Sequence, residues 1–430
     1  MSEDRFDVIV VGGGPAGNAA ALTLAKAGME VLVVERGNWC GAKNVSGGRL
    51  YGHSLEKLIP GFAKEAPIER KIVKERVSMM TEDASSTIEF SDEKMRDVNC
   101  ASYSVLRSKF DKWFAEKAEA EGAMYATGIL VDEVIKKDGK VCGVRCGEEE
   151  MFADAVILAD GVNSLLAQSL GMKEELRPTQ VAVGVKEVIA LDEQTISDRF
   201  GVDAGEGVAW LMAGFPSAGG IGGGCLYTNK ESVSLAMVLT VDEIGKTEYS
   251  TPELYERMKH HPALKPLLKG GRVLEYSAHL VTEGGYTMIP KLYDDGVLVT
   301  GDAAALVINI GYTVRGMDFA IESGRLAAET LIKAKEKKDY SANMLSTYKQ
   351  MLDDSFVIKT MKHYSKAPKM MEHKEIYGAY PKMMNDIMEK MFIVTGEENV
   401  RMKKVAMKAL KESGGIFKLA KVGMDAMGAL

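Results

Sequence analysis

The sequence predicts an α/β protein in three parts. A nucleotide-type α/β domain comes in two separated segments, an antiparallel α+β domain is inserted between them, and a helical region ends the chain. Three observations predict this. A glycine-rich turn follows an apolar strand at residues 7–17, and Gly–Asp or Asp–Gly pairs end two later strands. Apolar and polar residues alternate between 180 and 290. Helical periodicity runs from Tyr340 onward. The expected boundaries are 1–178 with 291–335, then 179–290, then 336–430.

The first segment opens on Asp7-Val8-Ile9-Val10-Val11, then Gly12-Gly13-Gly14-Pro15-Ala16-Gly17, then the helical text Asn18-Ala19-Ala20-Ala21-Leu22. Gly12, Gly14 and Gly17 occupy the G-x-G-x-x-G positions. The first admits a tight turn, the second lets backbone approach a pyrophosphate, and the third lets helix pack closely on strand. Pro15 and Ala16 complete the turn, and the helix start offers unpaired N–H groups to phosphate. The next strand, Val31-Leu32-Val33-Val34, ends in Glu35, 18 residues beyond Gly17, where a carboxylate holds a ribose hydroxyl pair. A lone glycine motif is weak; strand, turn, helix, strand and acid in register predict dinucleotide binding.

Arg36 to Arg49 reads as a glycine-containing loop whose amides face the redox ring of the cofactor, with Arg36, Lys43, Asn44, Ser46 and Gly47 as candidates; a plain surface loop is the alternative. Cys40 has no neighbouring thiol and reads as structural. Apolar residues at 106, 110, 113, 114 and 118 follow a helical period. Arg107 opens that helix, where a cation gains nothing from the dipole, so it is either solvated or turned to a cofactor phosphate. Val131 to Val144 reads as a hairpin turning at Lys137-Asp138-Gly139-Lys140. The buried strand Ala155-Val156-Ile157-Leu158 leads to Asp160-Gly161, with Ser164 expected to cap the following helix. Val297-Leu298-Val299-Thr300 leads to Gly301-Asp302, where Asp302 suits a polyol hydroxyl. The helix starting at Gly316 and Met317 presents amides and positive dipole to an anion.

The inserted domain shows strands at Ala182–Val188 and Ser232–Thr240, a glycine run at Gly219–Gly224, Lys259-His260-His261-Pro262, and Glu283-Gly284-Gly285-Tyr286. The adjacent histidines point in different directions and lack a third ligand, so no metal is expected. The 430 residues allow two or three domains; 46% are hydrophobic and 27% charged, and the net charge of −7 argues against nucleic acid as a main partner. The opening residues lead straight into the first strand, and a cytoplasmic chain without a signal peptide is expected. Residues 8–25 and 207–229 are uncharged but carry Pro15, or seven glycines with Pro216, a poor composition for a lipid-exposed helix. Cys40, Cys100, Cys142, Cys146 and Cys225 are scattered and form no C-x-x-C, so the chain is expected to hold reduced thiols and no iron–sulfur cluster of its own. The final 87 residues contain 13 of the 26 methionines, and residues 401–430 set seven cations against two acids. That segment is a candidate for docking on a membrane surface or a partner.

Gly12 to Gly17, Asp160-Gly161 and Gly301-Asp302 together resemble the FAD signature of the glutathione-reductase-like flavoproteins. The resemblance implies a Rossmann FAD-binding domain assembled from discontinuous segments. Within that superfamily, Lys43 to Tyr51, Ala209-Trp210-Leu211, Gly223 to Tyr227, Lys259 to Pro262, Glu283 to Tyr286 with Ile289 to Leu292, and Gly311 to Asp318 resemble the electron transfer flavoprotein–quinone oxidoreductases and their Fix-type relatives. The likeness covers most of residues 1–335. It implies non-covalent FAD, a quinone pocket at Gly223, Gly224, Gly284, Gly285 and Tyr286, and electron transfer flavoprotein alpha and beta subunits as partners. The acceptor would be menaquinone or ubiquinone, reached from the inner face of the cytoplasmic membrane. The cluster-bearing cysteines of single-chain members are absent, which favours the Fix-type version: a bifurcating complex in which a small ferredoxin-like [4Fe–4S] subunit carries the cluster. A geranylgeranyl-reductase-like enzyme that saturates isoprenoid chains is the alternative on the same fold. A flavoprotein scaffold without turnover is a third reading. No catalytic acid–base pair stands out.

Overall fold

The computed structural model describes residues 5–44, 48–396, 398 and 400–430. Two sheets organise it. The first runs Tyr293–Asp294, Val297–Val299, Glu149–Leu158, Arg5–Val11, Val31–Glu35, Met124–Thr127 from edge to edge. Its last five strands are mutually parallel. Val8, Ile9 and Val10 are fully buried, as the unbroken apolar run requires of a strand covered on both faces. The Pro15–Lys26 helix crosses to Val31–Glu35 on one side of the first strand, while Glu149–Leu158 flanks it on the other. Such a change of direction opens a crevice at the carboxyl ends of the strands, where ligands bind.

The predicted hairpin forms from Glu133–Lys137 and Lys140–Cys146 and attaches to Glu149–Leu158. Asp138 and Gly139 turn it with φ of 52° and 84°, the two positive values a two-residue hairpin turn demands. Ser164 does not cap as expected. Its backbone is left-handed (φ 47°, ψ 44°), its hydroxyl makes no cap bond and is buried without a partner, and the helix after it is only Leu165–Ser169. Left-handed backbone at this position turns Oγ away from the amides it would have met.

The second sheet follows the order Arg272–Thr282, Val181–Ala190, Ser232–Thr240, Gly222–Thr228, Glu206–Gly214, Ile68–Met80, Ser102–Val105, Gly48–Tyr51, with Ser85–Ser91 beside Ile68–Met80. Four of its nine strands come from residues 48–105, ahead of the inserted segment. Glu206–Gly214 and Ile68–Met80 run parallel while the other pairs are antiparallel. One face of this sheet packs Trp210, Leu226, Leu235 and Met237 against Leu254, Tyr255 and Met258 of the Thr251–His260 helix. The other face carries Ile72, Ala209, Tyr227 and Cys225.

The two halves of the cofactor domain meet where the Met317–Lys337 helix crosses the Pro15–Lys26 helix. Gly324 makes that crossing close: a Cβ there would lie 2.1 Å from the Ala16 carbonyl oxygen. Beyond it the chain is helical, from Ala342–Asp354 through Ala379–Phe392 to Met402–Glu412 and Gly415–Ala429.

Candidate functional site

The crevice lies at the ends of Arg5–Val11, Val31–Glu35, Glu149–Leu158 and Val297–Val299. Gly12 takes a φ of +103°, and a Cβ on it would lie 2.4 Å from the Ala159 carbonyl oxygen; one on Gly17 would lie 1.9 Å from that of Gly12. Close packing alone requires these two glycines. Gly14 differs. Its φ of −81° suits any residue, and a Cβ would meet only Arg107 Nη2, at 3.7 Å. No side chain caps the Pro15–Lys26 helix, so the amides of its first turn remain available to an anion.

Arg107, left open by the sequence between solvent and phosphate, thus stands beside the glycine turn. Its guanidinium is pinned by Asp111 at 2.7 Å, and the Asn44 amide donates to the same buried carboxylate. Glu35 sits at its strand end with both oxygens engaged: Gly13 N–H donates to one at 2.8 Å and Gly37 N–H to the other at 2.6 Å. Arg36 is exposed, yet its charge reaches Asp160. Lys43 is exposed. Ser46 and Gly47 lie outside the described residues.

The two later turns close the far wall. Asp160 Oδ1 is buried without a partner. Burial pushes the Asp160 carboxyl up to about 6, against backbone N–H bonds and the charges of Lys173 and Arg36. Asp302 is open to the crevice, yet the protein crowding around it raises its carboxyl, with Arg107, Lys173 and His279 opposing. Gly301, at φ +62°, backs onto Ala16, whose methyl would be 2.8 Å from a Cβ there. Gly316 precedes the 21-residue Met317–Lys337 helix without a side-chain cap, and Met317 Sδ lies 3.7 Å from where a Gly48 Cβ would stand. That contact joins the helix start to the Gly48–Tyr51 strand.

Lys173 was missed. Its buried Nζ donates to the carbonyls of Val162 at 3.2 Å and Ala303 at 3.0 Å, tying together the Asp160 and Asp302 turns. Burial lowers its pKa, while Asp160 and Asp302 work to raise it. In the sequence it stands in Gly171-Met172-Lys173-Glu174-Glu175, text that reads as a solvated turn; nothing there signals burial.

The glycines proposed for quinone lie at one end of the second sheet, but not on one surface. A Cβ on Gly224 would meet Met258 Sδ at 2.9 Å on the helix side, whereas its strand neighbour Gly223 belongs to the opposite face. Gly284 and Gly285 have φ of +68° and +105° and press on Val307 and Pro368. Tyr286 packs on the core beneath the Lys362 ammonium. The Thr240 hydroxyl lies within reach of both the Ile221 carbonyl and Glu283, joining the two loops. A cavity of about 420 Å³ opens beside them, walled by Ser217, Gly219, Gly220, Glu243, Tyr249 and Lys374. His260 and His261 bond to different carbonyls, those of Glu256 and Thr81. Among the described residues no cluster of histidine, cysteine and carboxylate groups is placed to hold a metal.

Two features of the crevice fit FAD: the open side of Gly14 opposite a pinned guanidinium, and the orphaned Asp160 oxygen in its wall. The fold and this site define a flavoprotein oxidoreductase with FAD as its cofactor. Residues 7–169 match the model of FAD dependent oxidoreductases, residues 181–281 that of the ETF-QO ubiquinone-binding segment, and residues 367–430 that of the ETF-QO/FixC family C-terminal domain. A probable electron transfer flavoprotein-quinone oxidoreductase of Escherichia coli K12 is 48% identical over 430 residues, all of both chains. FixC proteins of Salmonella typhi (48% over 416 residues, 97% of each chain) and Bradyrhizobium diazoefficiens (42% over 415 residues, 95% of each) are similar throughout. The chain belongs to the ETF-QO/FixC family of flavoproteins. Among solved structures, a geranylgeranyl bacteriochlorophyll reductase-like protein of Thermoplasma acidophilum superposes with a TM-score of 0.72 at 23% identity, covering 98% of this chain and 100% of that one. The flavin-dependent brominase Bmp2 does so with 0.65 at 16%, covering 98% and 99%. At such identities these two share the fold alone.

Proposed function

We propose that the chain takes electrons from an electron transfer flavoprotein and passes them through FAD to a membrane quinone, within a Fix-type bifurcating complex. The observation that carries this reading is the pairing, in one chain, of the FAD crevice with a second domain that matches the ETF-QO ubiquinone-binding segment. FAD would be held by Gly12, Gly14 and Gly17 with the helix start at Pro15 on the pyrophosphate, Glu35 on the ribose, Arg107 on phosphate, and Asp160 and Asp302 on the polyol side. Bound there, it supplies reversible two-electron chemistry. Reduction of a quinone to a quinol takes two electrons and two protons. The chain's own task is to set potential and distance and to keep water from the reduced ring. With five scattered cysteines, the [4Fe–4S] centre belongs to a separate small subunit in this reading.

No helix among the described residues is long and apolar enough to cross a membrane. Access to a lipid-soluble quinone therefore calls for surface contact, and the C-terminal pair of helices suits it. Phe417 and Met427 are 90% and 79% exposed among the cations of residues 401–430, and Phe392 and Val394, just ahead of the pair in the chain, are 75% and 80% exposed. Buried apolar area plus cationic attraction is the combination that holds a protein at an anionic bilayer. The direct test is reduction of a short-chain ubiquinone and a menaquinone analogue by the FAD-loaded protein, using reduced electron transfer flavoprotein as donor. Turnover with either quinone supports the reading. Flavin reduction without quinone turnover, combined with saturation of an isoprenoid chain, would transfer it to the prenyl-reducing class.

A further inference from the structure

A cavity of about 410 Å³ lies between the second sheet and the segment that follows the Gly301-Asp302 turn. Small-molecule sites usually measure roughly 300–1,000 Å³. The sheet contributes Arg49, Tyr51 and Glu75 to its wall, and the later segment Ile308, Tyr312 and Arg315. Strand register ties it to the segment that matches the ubiquinone-binding model. Tyr227 stands opposite Ala209, and Ala209 opposite Glu75, so the three side chains share one face of the sheet. Gly48, which heads the strand carrying Arg49 and Tyr51, is the glycine beside Met317. Arg315 stands two residues ahead of Met317 in the chain. The cavity therefore borders the helix start that belongs to the cofactor crevice.

Its wall combines aromatic surface with hydrogen-bond donors whose charge is cancelled. Arg49 is ion-paired with Glu75, and its Nε donates to the Ser102 hydroxyl at 3.0 Å. Arg315 is ion-paired with the fully buried Asp318. Both guanidiniums lie over the ring of Tyr51, 4.5 and 5.5 Å from its centre. A guanidinium has five N–H donors, so each keeps donors beyond those that its acid engages. Two cations matched by two acids hold phosphate or carboxylate weakly. A neutral carbonyl oxygen among aromatic rings needs only the donors. The cavity beside Gly219 and Gly220 differs, because Glu243, Lys246, Glu248 and Lys374 make its wall a charged one.

We propose that the cavity between the domains seats the quinone head group, with Arg49 and Arg315 donating to its carbonyl oxygens above the Tyr51 ring. A quinone ring is flat and uncharged and carries two such oxygens. The proposal rests on the function proposed above in taking a quinone as the acceptor.

The test uses the full-length, FAD-loaded protein with a short-chain ubiquinone and a prenylated menaquinone analogue. Cys100 lines the cavity and is the exposed one of the five cysteines. In the oxidised protein, where no electrons are available, either quinone is expected to slow alkylation of Cys100 by iodoacetamide several-fold. Peptide mass spectrometry reads the modification, with Cys146 as the internal reference. Arg49→Lys and Arg315→Lys keep the charges that Glu75 and Asp318 need but lose donors. Each is expected to weaken the protection and to raise the KM for quinone about tenfold, with a smaller effect on kcat. Thr313→Trp, which fills the cavity and leaves both ion pairs in place, is expected to raise the same KM. FAD content and melting temperature show that the variants are folded. Unprotected Cys100 overturns the assignment whether or not quinone is turned over, and so does a parental KM in all three variants. Protection without turnover upholds it and sinks the electron-transfer reading instead.

Discussion

Gly14 and Gly17 are both motif glycines, but the structure predicts that they fail differently. A Cβ at Gly17 would stand 1.9 Å from a backbone oxygen, whereas at Gly14 it meets only the tip of Arg107 at 3.7 Å. Gly17→Ala must push the Pro15–Lys26 helix off its strand, an overpacking cost of about 1–3 kcal/mol, and is expected to lower the melting temperature of the FAD-free protein by several degrees. Gly14→Val leaves the FAD-free fold within about 1 kcal/mol of the parent, because only a helix N-cap preference changes. Its side chain, however, fills the space that the pyrophosphate needs. FAD at a hundred times its dissociation constant stabilises a binding-competent fold by about 2.7 kcal/mol. Melting curves of the deflavinated proteins with and without FAD, read with the flavin absorbance, separate the two cases. The parent shows the full ligand shift, Gly14→Val none, and Gly17→Ala a low baseline with a shift still present. A Gly14→Val protein that is folded, yellow and fully shifted by FAD would refute the phosphate-turn reasoning.

Three further outcomes follow from the same geometry. Glu35→Ala orphans the buried amides of Gly13 and Gly37 and is expected to cost about 1–3 kcal/mol in urea denaturation even without FAD; a cost seen only with FAD present would contradict this. Because the folded Asp160 carboxyl titrates at about 6 rather than 3.8, the folded chain binds the extra proton. The FAD-free parent should then lose stability relative to Asp160→Asn as pH rises from about 4 through 6, and parallel pH profiles of the two melts would count against it. Ending the chain at Gly396 is expected to preserve FAD binding but abolish salt-sensitive flotation with anionic vesicles; unchanged flotation assigns membrane contact elsewhere, and loss of a partner subunit assigns the tail to docking.

What the sequence disclosed and what it hid divide along physical lines. Gly12, Gly17 and Glu35 were legible because a fixed chain spacing serves a fixed local geometry. The Lys140 hairpin was legible because two positive φ values select Asp–Gly. Lys173 was not, since a lysine in a polar turn reads as solvated until the Asp160 and Asp302 turns close around it. The Ile68–Met80 strand escaped for a similar reason: Glu69, Arg70, Lys71, Lys74, Glu75 and Arg76 mask its alternation. Arg70 is fully buried nonetheless, its guanidinium donating to the carbonyls of Asn229 and Glu206 at 2.7 and 2.8 Å. Ser164 misled because a favourable cap residue says nothing about the left-handed backbone on which it sits.

The contact of Gly324 with Ala16 also fixes when the protein can be finished on the ribosome. The first strand and its glycine turn emerge at once and Glu149–Leu158 follows about a third of the way along, but Val297–Val299 and the Met317–Lys337 helix that clasps them appear only when roughly three quarters of the chain is made. At about 5–20 residues per second, the interval from Gly17 to Gly324 lasts roughly 15 s to a minute. Until then the apolar first strand lacks its later partners, so the cofactor crevice cannot close before the Met317–Lys337 helix has been made.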